Sequence, residues 1–234
     1  MKTEIELRGT LLSDEDAKIM RYFGWHDNCC PGDVASATAS LPEGEELEVV
    51  INSGGGDLFA GKDLYFALKK AGARARVTTM SASAATVAMM GCREITADAT
   101  SLFCIHDPTT WGGGNADALR KTAAELDTLK ASIIDAYAPR LKRSRDEVWS
   151  LMSEDRWMNA QEALELGLID RIAGEQTEPD ARSVRILNAA YANFPTEKMR
   201  ADYQAVRAQK EKDSAARENR MACLRLYGEI LNKV

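Results

Sequence analysis

The sequence has little of what marks several classes of protein. It contains two histidines among 234 residues, and neither stands in a cluster of carboxylates, so a catalytic metal centre is not expected. The five cysteines are an odd number without paired C-x-x-C spacing, which disfavours a zinc site and predicts that the adjacent Cys29 and Cys30 are reduced thiols. No apolar run reaches the roughly 18 residues that a membrane span needs. The first residues also lack the apolar segment of a secretory signal, so we expect a cytoplasmic protein.

Composition and charge narrow the remaining classes. A net charge of -6 argues against nucleic acid or an anionic membrane as the main partner. An apolar content of 45% suits one domain with a full core and an appendage. We expect a main domain over residues 1–176, a polar linker over 177–194 and a charged helical extension over 195–234, with an apolar face that contains Met221, Leu224, Tyr227 and Leu231. That extension either docks on a partner or is a solvated tail.

Short β-rich runs, glycine-containing turns and helical periodicity alternate along the main domain. This alternation predicts an α/β fold with a mostly parallel sheet. The predicted strands are 4–10, 47–53, 73–79, 94–97, 102–105 and 168–172. The predicted shorter helices are 33–40 (capped by Asp33), 58–68, 84–90, 146–152 and 160–166 (ended by Gly167).

One long amphipathic helix is predicted over 115–137, closed by Pro139. Leu119, Leu126 and Ile133 recur in it every seven residues. A helix with so narrow an apolar stripe packs either on its own domain or on the same helix of another subunit. The spacing of the apolar residues does not distinguish these two arrangements.

Three glycines, Gly54-Gly55-Gly56, stand between a predicted strand and a predicted helix. Consecutive glycines allow a sharp turn that exposes backbone N–H groups, which can hold a phosphate or a developing oxyanion, or can simply turn the chain. Phe59 stands where the dinucleotide fingerprint G-x-G-x-x-G needs its last glycine, so that interpretation is weak.

A candidate nucleophile and base also fall at the ends of predicted strands. Ser83, flanked by alanines, lies at a strand-to-helix junction, where it is either a nucleophile or a helix N-cap. His106 ends a predicted strand, whereas His26 lies in a polar segment without a strand framework. A neutral imidazole base needs an orienting carboxylate. Asp155 lies in a turn predicted between two helices, and the residues alone do not separate it from its competitors Glu154 and Asp107.

Four segments in this order resemble the ClpP family of serine proteases, in particular its phage and prophage branch. They are Ile51-Asn-Ser-Gly-Gly-Gly-Asp57, Ser83-Ala-Ala-Thr86, Cys104-Ile-His106-Asp-Pro108 and Asp155-Arg-Trp-Met-Asn-Ala160 with Gly167-Leu-Ile-Asp170, and the likeness runs over about residues 4–173.

The resemblance implies a crotonase-like spiral of β-β-α units with a long handle helix at 115–137. It implies a serine endopeptidase with Ser83, His106 and Asp155 as its triad, the N–H groups of Gly56 and Ala84 as its oxyanion hole, and no metal or organic cofactor. It also implies a homo-oligomeric ring that stacks through the handle helix and encloses its polypeptide substrates. In the phage branch these substrates are capsid or scaffold proteins.

Two departures keep alternatives open. Gly54 replaces the family's usual proline, and Thr79-Met-Ser-Ala-Ser83 replaces its usual G-x-A-A-S, which leaves Ser81 as an alternative nucleophile. The alternative functions are a crotonase-like enzyme acting on coenzyme-A thioesters, and an assembly protein of this fold with an impaired site.

Overall fold

The computed structural model describes residues 2–42, 44–173 and 194–231. The strands in these ranges are β1 Lys2–Leu11, β2 Asn28–Cys29, β3 Glu46–Gly56, β4 Arg74–Ala82, β5 Glu94–Ala97, β6 Leu102–Ile105, β7 Arg156–Asn159 and β8 Arg171–Ile172. The helices are α1 Asp14–Tyr22, α2 Pro31–Ala39, α3 Leu58–Ala71, α4 Ala84–Met89, α5 Ala116–Leu141, α6 Arg145–Ser153, α7 Ala160–Leu166 and α8 Glu197–Leu231.

The strands form one mainly parallel sheet in the order β2-β1-β3-β4-β5-β8. Helices connect successive parallel strands, for example α3 between β3 and β4. This arrangement, with the long helix α5, confirms the predicted α/β fold. Parallel pairing matters for function because it brings the carboxyl ends of neighbouring strands to the same edge of the sheet.

Strand β4 forks, and the fork positions the candidate site. Its first half pairs with β5, whereas Met80, Ser81 and Ala82 pair in parallel with β6. Strand β6 in turn pairs with β7, in antiparallel orientation. The last residues of β4 and β6 and the first residues of β7 therefore lie side by side.

The main core lies between this sheet and the helices α3 to α7. The core includes only the second half of α5. Ile133, Ile134 and Tyr137 are buried, whereas most of the helix before Lys130 is exposed. Full burial of one aliphatic side chain contributes about 1.5–3 kcal/mol, so these residues hold the second half of α5 firmly on the domain.

A smaller apolar cluster joins α1 to α8. Leu12, Ala17, Met20 and Cys30 are buried in it, and Met199 of α8 packs against them. The start of α8 therefore docks on the main body. The side chains of its predicted apolar face (Met221, Leu224, Tyr227 and Leu231) lie outside the described residues, as do residues 177–193 of the predicted linker.

Two predicted details of the helices are wrong. Helix α5 continues through Pro139 to Leu141, because a proline so near the C-terminus removes only one backbone hydrogen bond while Tyr137 and Leu141 stay buried. Helix α2 begins at Pro31, and Asp33 is not its N-cap. The carboxylate of Asp33 instead accepts a hydrogen bond from the N–H of Cys30 and forms an ion pair with Arg21.

Other differences concern elements that the sequence did not make obvious. Helix α1 was not predicted, although Ser13 caps it and its first turn is acidic. Strand β7 was also not predicted, so Asp155 lies in a turn between helix α6 and a strand rather than between two helices. Strand β8 is shorter than predicted.

The described helices include none that is both long enough and apolar enough to cross a membrane.

Candidate active site

Ser83 has an uncommon backbone conformation. It follows β4 and is the N-cap residue of α4, with φ 57° and ψ -130°. A positive φ is uncommon for a residue with a side chain and costs about 1–3 kcal/mol, which the surroundings must offset. The N–H of Ser83 donates to the carbonyl oxygen of Cys104 in the neighbouring strand β6, at 2.9 Å. This is the sharp strand-to-helix turn that holds a serine hydroxyl away from the backbone.

Two glycines allow other segments to approach this turn. A Cβ atom on Gly55 would stand 2.6 Å from the Cβ of Ser83 and 2.9 Å from the backbone nitrogen of Ala84. A Cβ atom on Gly61 would stand 2.7 Å from the carbonyl oxygen of Ala84. Gly55 therefore lies directly against the turn that contains Ser83. Gly56 lies against β1 instead, because a Cβ atom there would stand 2.3 Å from the carbonyl oxygen of Leu11.

Two buried hydroxyl groups, those of Thr86 and Tyr137, support the turn that contains Ser83. The Thr86 hydroxyl oxygen lies 2.6 Å from the carbonyl oxygen of Ser83 and 2.6 Å from the Tyr137 hydroxyl. Burial raises the pKa of Tyr137 above its ordinary range, so the phenol keeps its proton at neutral pH. Helix α5 is thereby linked to Ser83 through Thr86.

Ser81 has a different environment from Ser83. It lies inside β4, is fully buried, and pairs with Ser53 and Phe103 on its two neighbouring strands. Its hydroxyl oxygen has no hydrogen-bond partner among the described residues. Ser83, which is only partly buried, is therefore the more accessible of the two candidate nucleophiles.

His106 follows directly on β6, the strand whose Cys104 carbonyl oxygen accepts a hydrogen bond from the N–H of Ser83. Its Nδ1 atom lies 2.6 Å from the carbonyl oxygen of Asp107, and its Nε2 atom is buried without a hydrogen-bond partner in the described part of the chain. A donated Nδ1–H leaves Nε2 as the unprotonated nitrogen, which is the form that a general base needs.

Asp155 precedes β7 and also has a positive φ, 47°. In the β6–β7 register Ile105 pairs with Arg156, so the next positions along the ladder are His106 and Asp155. Burial, and in addition the nearby Asp155 carboxylate, raise the pKa of the Cys104 thiol to about 11. The three predicted residues thus meet at one edge, although no hydrogen bond joins the side chains of Ser83, His106 and Asp155 within the described ranges.

The other candidates lie elsewhere or have other roles. His26 is exposed in the segment between α1 and β2, and Glu154 is exposed beside Arg156. Asp107 forms an ion pair with Lys130 of α5. The adjacent Cys29 and Cys30 are free thiols, and burial raises their pKa values to about 12 and about 11.

Sequence reasoning missed the residues that support the site. Thr86 contacts Ser83, Tyr137 contacts Thr86, and Lys130 contacts Asp107, the residue after His106. The only available signal was the position of Lys130 and Tyr137, which are seven residues apart and so lie on one face of α5.

Comparison with known proteins gives one consistent match. The family model described as Clp protease matches residues 37–176. An ATP-dependent Clp protease proteolytic subunit of Bacteroides fragilis is 32% identical over 137 residues, which are 57% of this chain and 66% of the relative. An ATP-dependent Clp protease proteolytic subunit 1 of Chlamydia trachomatis is 35% identical over 137 residues, 55% of this chain and 70% of the relative. The match thus spans just under two thirds of the Bacteroides protein.

Proposed function

This chain belongs to the Clp protease family, and we propose that it is a serine endopeptidase with Ser83 as its nucleophile, His106 as its base and Asp155 as the carboxylate that orients the base. The observation that carries the proposal is the conformation of Ser83, with φ 57° at a strand-to-helix junction beside the strand end that bears His106. The names of the relatives support peptide hydrolysis.

The proposed reaction follows the roles of these groups. The Ser83 hydroxyl attacks the peptide carbonyl while Nε2 of His106 takes its proton, and the same proton then goes to the leaving amine. Water hydrolyses the resulting acyl-enzyme by the reverse roles. Asp155 is proposed to accept Nδ1–H beside the Asp107 carbonyl oxygen when substrate is bound.

The N–H groups of Gly56 and Ala84 are proposed to hold the oxyanion. Loss of one such donor typically raises the barrier by roughly 3–4 kcal/mol. The position of Gly55 against the nitrogen of Ala84 supports a backbone-lined site at this point, since a side chain there would fill it.

A fluorophosphonate probe tests the nucleophile directly. It should form a covalent adduct that mass spectrometry of the digested protein locates on Ser83. Ser83→Ala should abolish both the adduct and peptide cleavage, whereas the matched variant Ser81→Ala should keep them. An adduct on Ser81, or thioester turnover that survives Ser83→Ala, would support one of the alternative chemistries. A folded, assembled protein without adduct would support the non-catalytic assembly role.

We further propose a homo-oligomeric chamber with polypeptide substrates, built from residues 1–176 with α8 as an accessory element. The finer assignment to capsid or scaffold maturation in a phage or prophage rests on the phage-like motifs and on the charged C-terminal extension. Its test is co-expression with capsid and scaffold precursors. Specific cleavage that needs Ser83 and no ATP would support it, whereas degradation only with an ATP-driven unfoldase would contradict it.

A further inference from the structure

We infer that Lys130 is a positioning residue of the proposed protease, which holds the base and the orienting carboxylate in register with helix α5. This inference rests on the proposed function. Lys130 is one of the described charged residues that are nearly completely buried, with 3% of its surface exposed. A buried ammonium group is stable only when it is paired, so its contacts indicate what it does.

The Lys130 ammonium contacts both segments that carry the candidate catalytic residues. Its Nζ atom lies 2.6 Å from Oδ1 of Asp107, the residue after His106. The same Nζ donates a hydrogen bond of 2.6 Å to the hydroxyl of Ser153, two residues before Asp155. One charge on α5 therefore joins the segment that follows β6 to the last residue of α6.

Two further contacts close this cluster. The Ser153 hydroxyl lies 3.4 Å from Oδ2 of Asp107, and Nζ of Lys130 lies 4.2 Å from the centre of the Trp149 ring in α6. A cation over an aromatic face is attracted by the ring quadrupole. The ammonium group is thus held on several sides, which fixes its position.

The contact with Asp107 reaches His106 through one residue. The carbonyl oxygen of Asp107 is the atom that Nδ1 of His106 contacts, and its carboxylate is the group that Lys130 binds. If Lys130 holds Asp107 in place, it also sets the orientation of the imidazole. A lysine that served only the stability of α5 would need no contact with either strand end.

The charges around His106 make a specific test possible. The charged groups on the elements packed around it are Asp107 on its own segment, Lys130 on α5, and Asp155 and Arg156 at the start of β7. In Lys130→Met the Asp107 carboxylate loses its counter-ion, and an unpaired anion favours the protonated imidazole. In Asp107→Asn the cation is left unpaired and disfavours it.

The experiment measures kcat and kcat/KM for a peptide against pH in Lys130→Met, Lys130→Arg, Asp107→Asn and the Lys130→Met/Asp107→Asn double variant. We expect Lys130→Met to lower kcat on the order of 100-fold with KM nearly unchanged, as for a misplaced catalytic group. The acidic limb of the profile should move to higher pH in Lys130→Met and to lower pH in Asp107→Asn. In Lys130→Arg and in the double variant, the acidic limb should lie at nearly the same pH as in wild type.

A merely structural role gives a different result. It predicts that Lys130→Met lowers thermal stability while the folded fraction keeps the wild-type kcat and pH profile, and this outcome would overturn the inference. The inference would also be overturned if Lys130→Met and Lys130→Arg lowered kcat equally and left the acidic limb of the pH profile in place. Circular dichroism and native mass measurement show whether each variant is folded and assembled.

The two histidines provide a readout that does not depend on activity. In protein labelled at histidine Cε1, NMR should show one resonance from exposed His26 and one from His106, assigned with His26→Gln. Lys130→Met should shift the His106 resonance and leave that of His26 in place. If wild type fails to react with the fluorophosphonate, the proposed function fails. If wild type reacts but the His106 resonance and the profile do not move in Lys130→Met, only the inference on Lys130 fails.

Discussion

Ser83 is held in a backbone conformation with a positive φ, which residues other than glycine rarely adopt. Its φ of 57° is compensated by a hydrogen bond from its N–H to Cys104 and by the Thr86 hydroxyl at its carbonyl oxygen. Both contacts come from elements that also reach His106 or α5. Strain at a position fixed by several independent contacts is typical of a functional site, because relaxation would move the hydroxyl away from its base.

Gly55→Ala should lower activity because the site lacks space for a methyl group. The new Cβ would meet Ser83 and Ala84 at distances below 3.0 Å, and Gly55 has a φ of +94°, which disfavours any side chain. We expect the free energy of unfolding to fall by about 1–3 kcal/mol and kcat to fall on the order of 100-fold. Peptide kinetics and urea denaturation measure the two effects.

The control is Gly112→Ala. A Cβ on Gly112 has no atom within 4 Å, and no positive φ constrains this residue, so both quantities should stay at wild-type values. Wild-type kinetics in Gly55→Ala would show that the close approach of β3 to Ser83 is not needed for catalysis.

At the scale of residues, the sequence predicted those with a recognisable local context. Ser83 between alanines and His106 at the end of a strand both lie where the pattern indicated. Lys130 could not be predicted, because a lysine in an amphipathic helix normally faces solvent. Its burial depends on Asp107 and Ser153, which lie 23 residues away in opposite directions and meet it only in the folded chain.

At the scale of elements, the two halves of α5 lie in different environments, and α8 contacts the main body at its start. The second half of α5 lies in the core, and the first half is largely exposed. Helix α8 contacts α1 at its start, through Met199, an ion pair between Arg200 and Asp16, and an edge-to-face contact of Tyr203 with Tyr22. The extension is therefore docked at its beginning rather than a tail free along its whole length.

Arg200→Met should destabilise the protein because it leaves a buried carboxylate without a counter-ion. The side chain of Asp16 is 10% exposed, and its ion pair with Arg200 raises the pKa of the guanidinium group. Removal of the partner of a buried charged group costs about 1–3 kcal/mol, and the simultaneous change Asp16→Asn should recover part of it. Chemical denaturation of both single variants and the double variant measures the coupling.

Arg207→Met is the matched control on the same helix. Its guanidinium group forms an ion pair with Glu211, and both side chains are about two thirds exposed, so we expect a change within about 0.5 kcal/mol. If Arg200→Met and Arg207→Met have the same small effect, the start of α8 does not contribute to the stability of the main body.

Elements with strong periodicity or clear end signals were predictable. The bounds of β5, β6 and α7 agree with the predicted ranges, and α7 has clear end signals in its N-cap Asn159 and its C-cap Gly167. Strand β7 has no alternating pattern, and its pairing with β6 depends on residues more than 50 positions earlier. Helix α1 shows that a short polar helix is missed when only its cap distinguishes it from a loop.

At the scale of the whole molecule, the chain leaves apolar side chains exposed on α5 and α3. Leu119 on the first half of α5 is 49% exposed, and Phe59 and Phe66 of α3 are more than half exposed. Single exposed apolar residues are common on monomers, but a stripe on a long projecting helix is typical of an interface. The family model covers this helix, which supports the proposed oligomer.

Leu119→Asp should therefore weaken assembly without unfolding the subunit. The Leu119 side chain is not part of the buried core. The circular dichroism spectrum should therefore remain that of wild type, while native mass measurement should show smaller species. Thr128→Asp adds the same charge on the opposite, exposed face of α5 and should leave the assembly intact. Ile133→Ala, at a buried position of the same stripe, should instead lower the free energy of unfolding by about 2–4 kcal/mol. If Leu119→Asp and Thr128→Asp assemble alike, the first half of α5 is not the contact between subunits, and the exposed residues of α3 become the next surface to test.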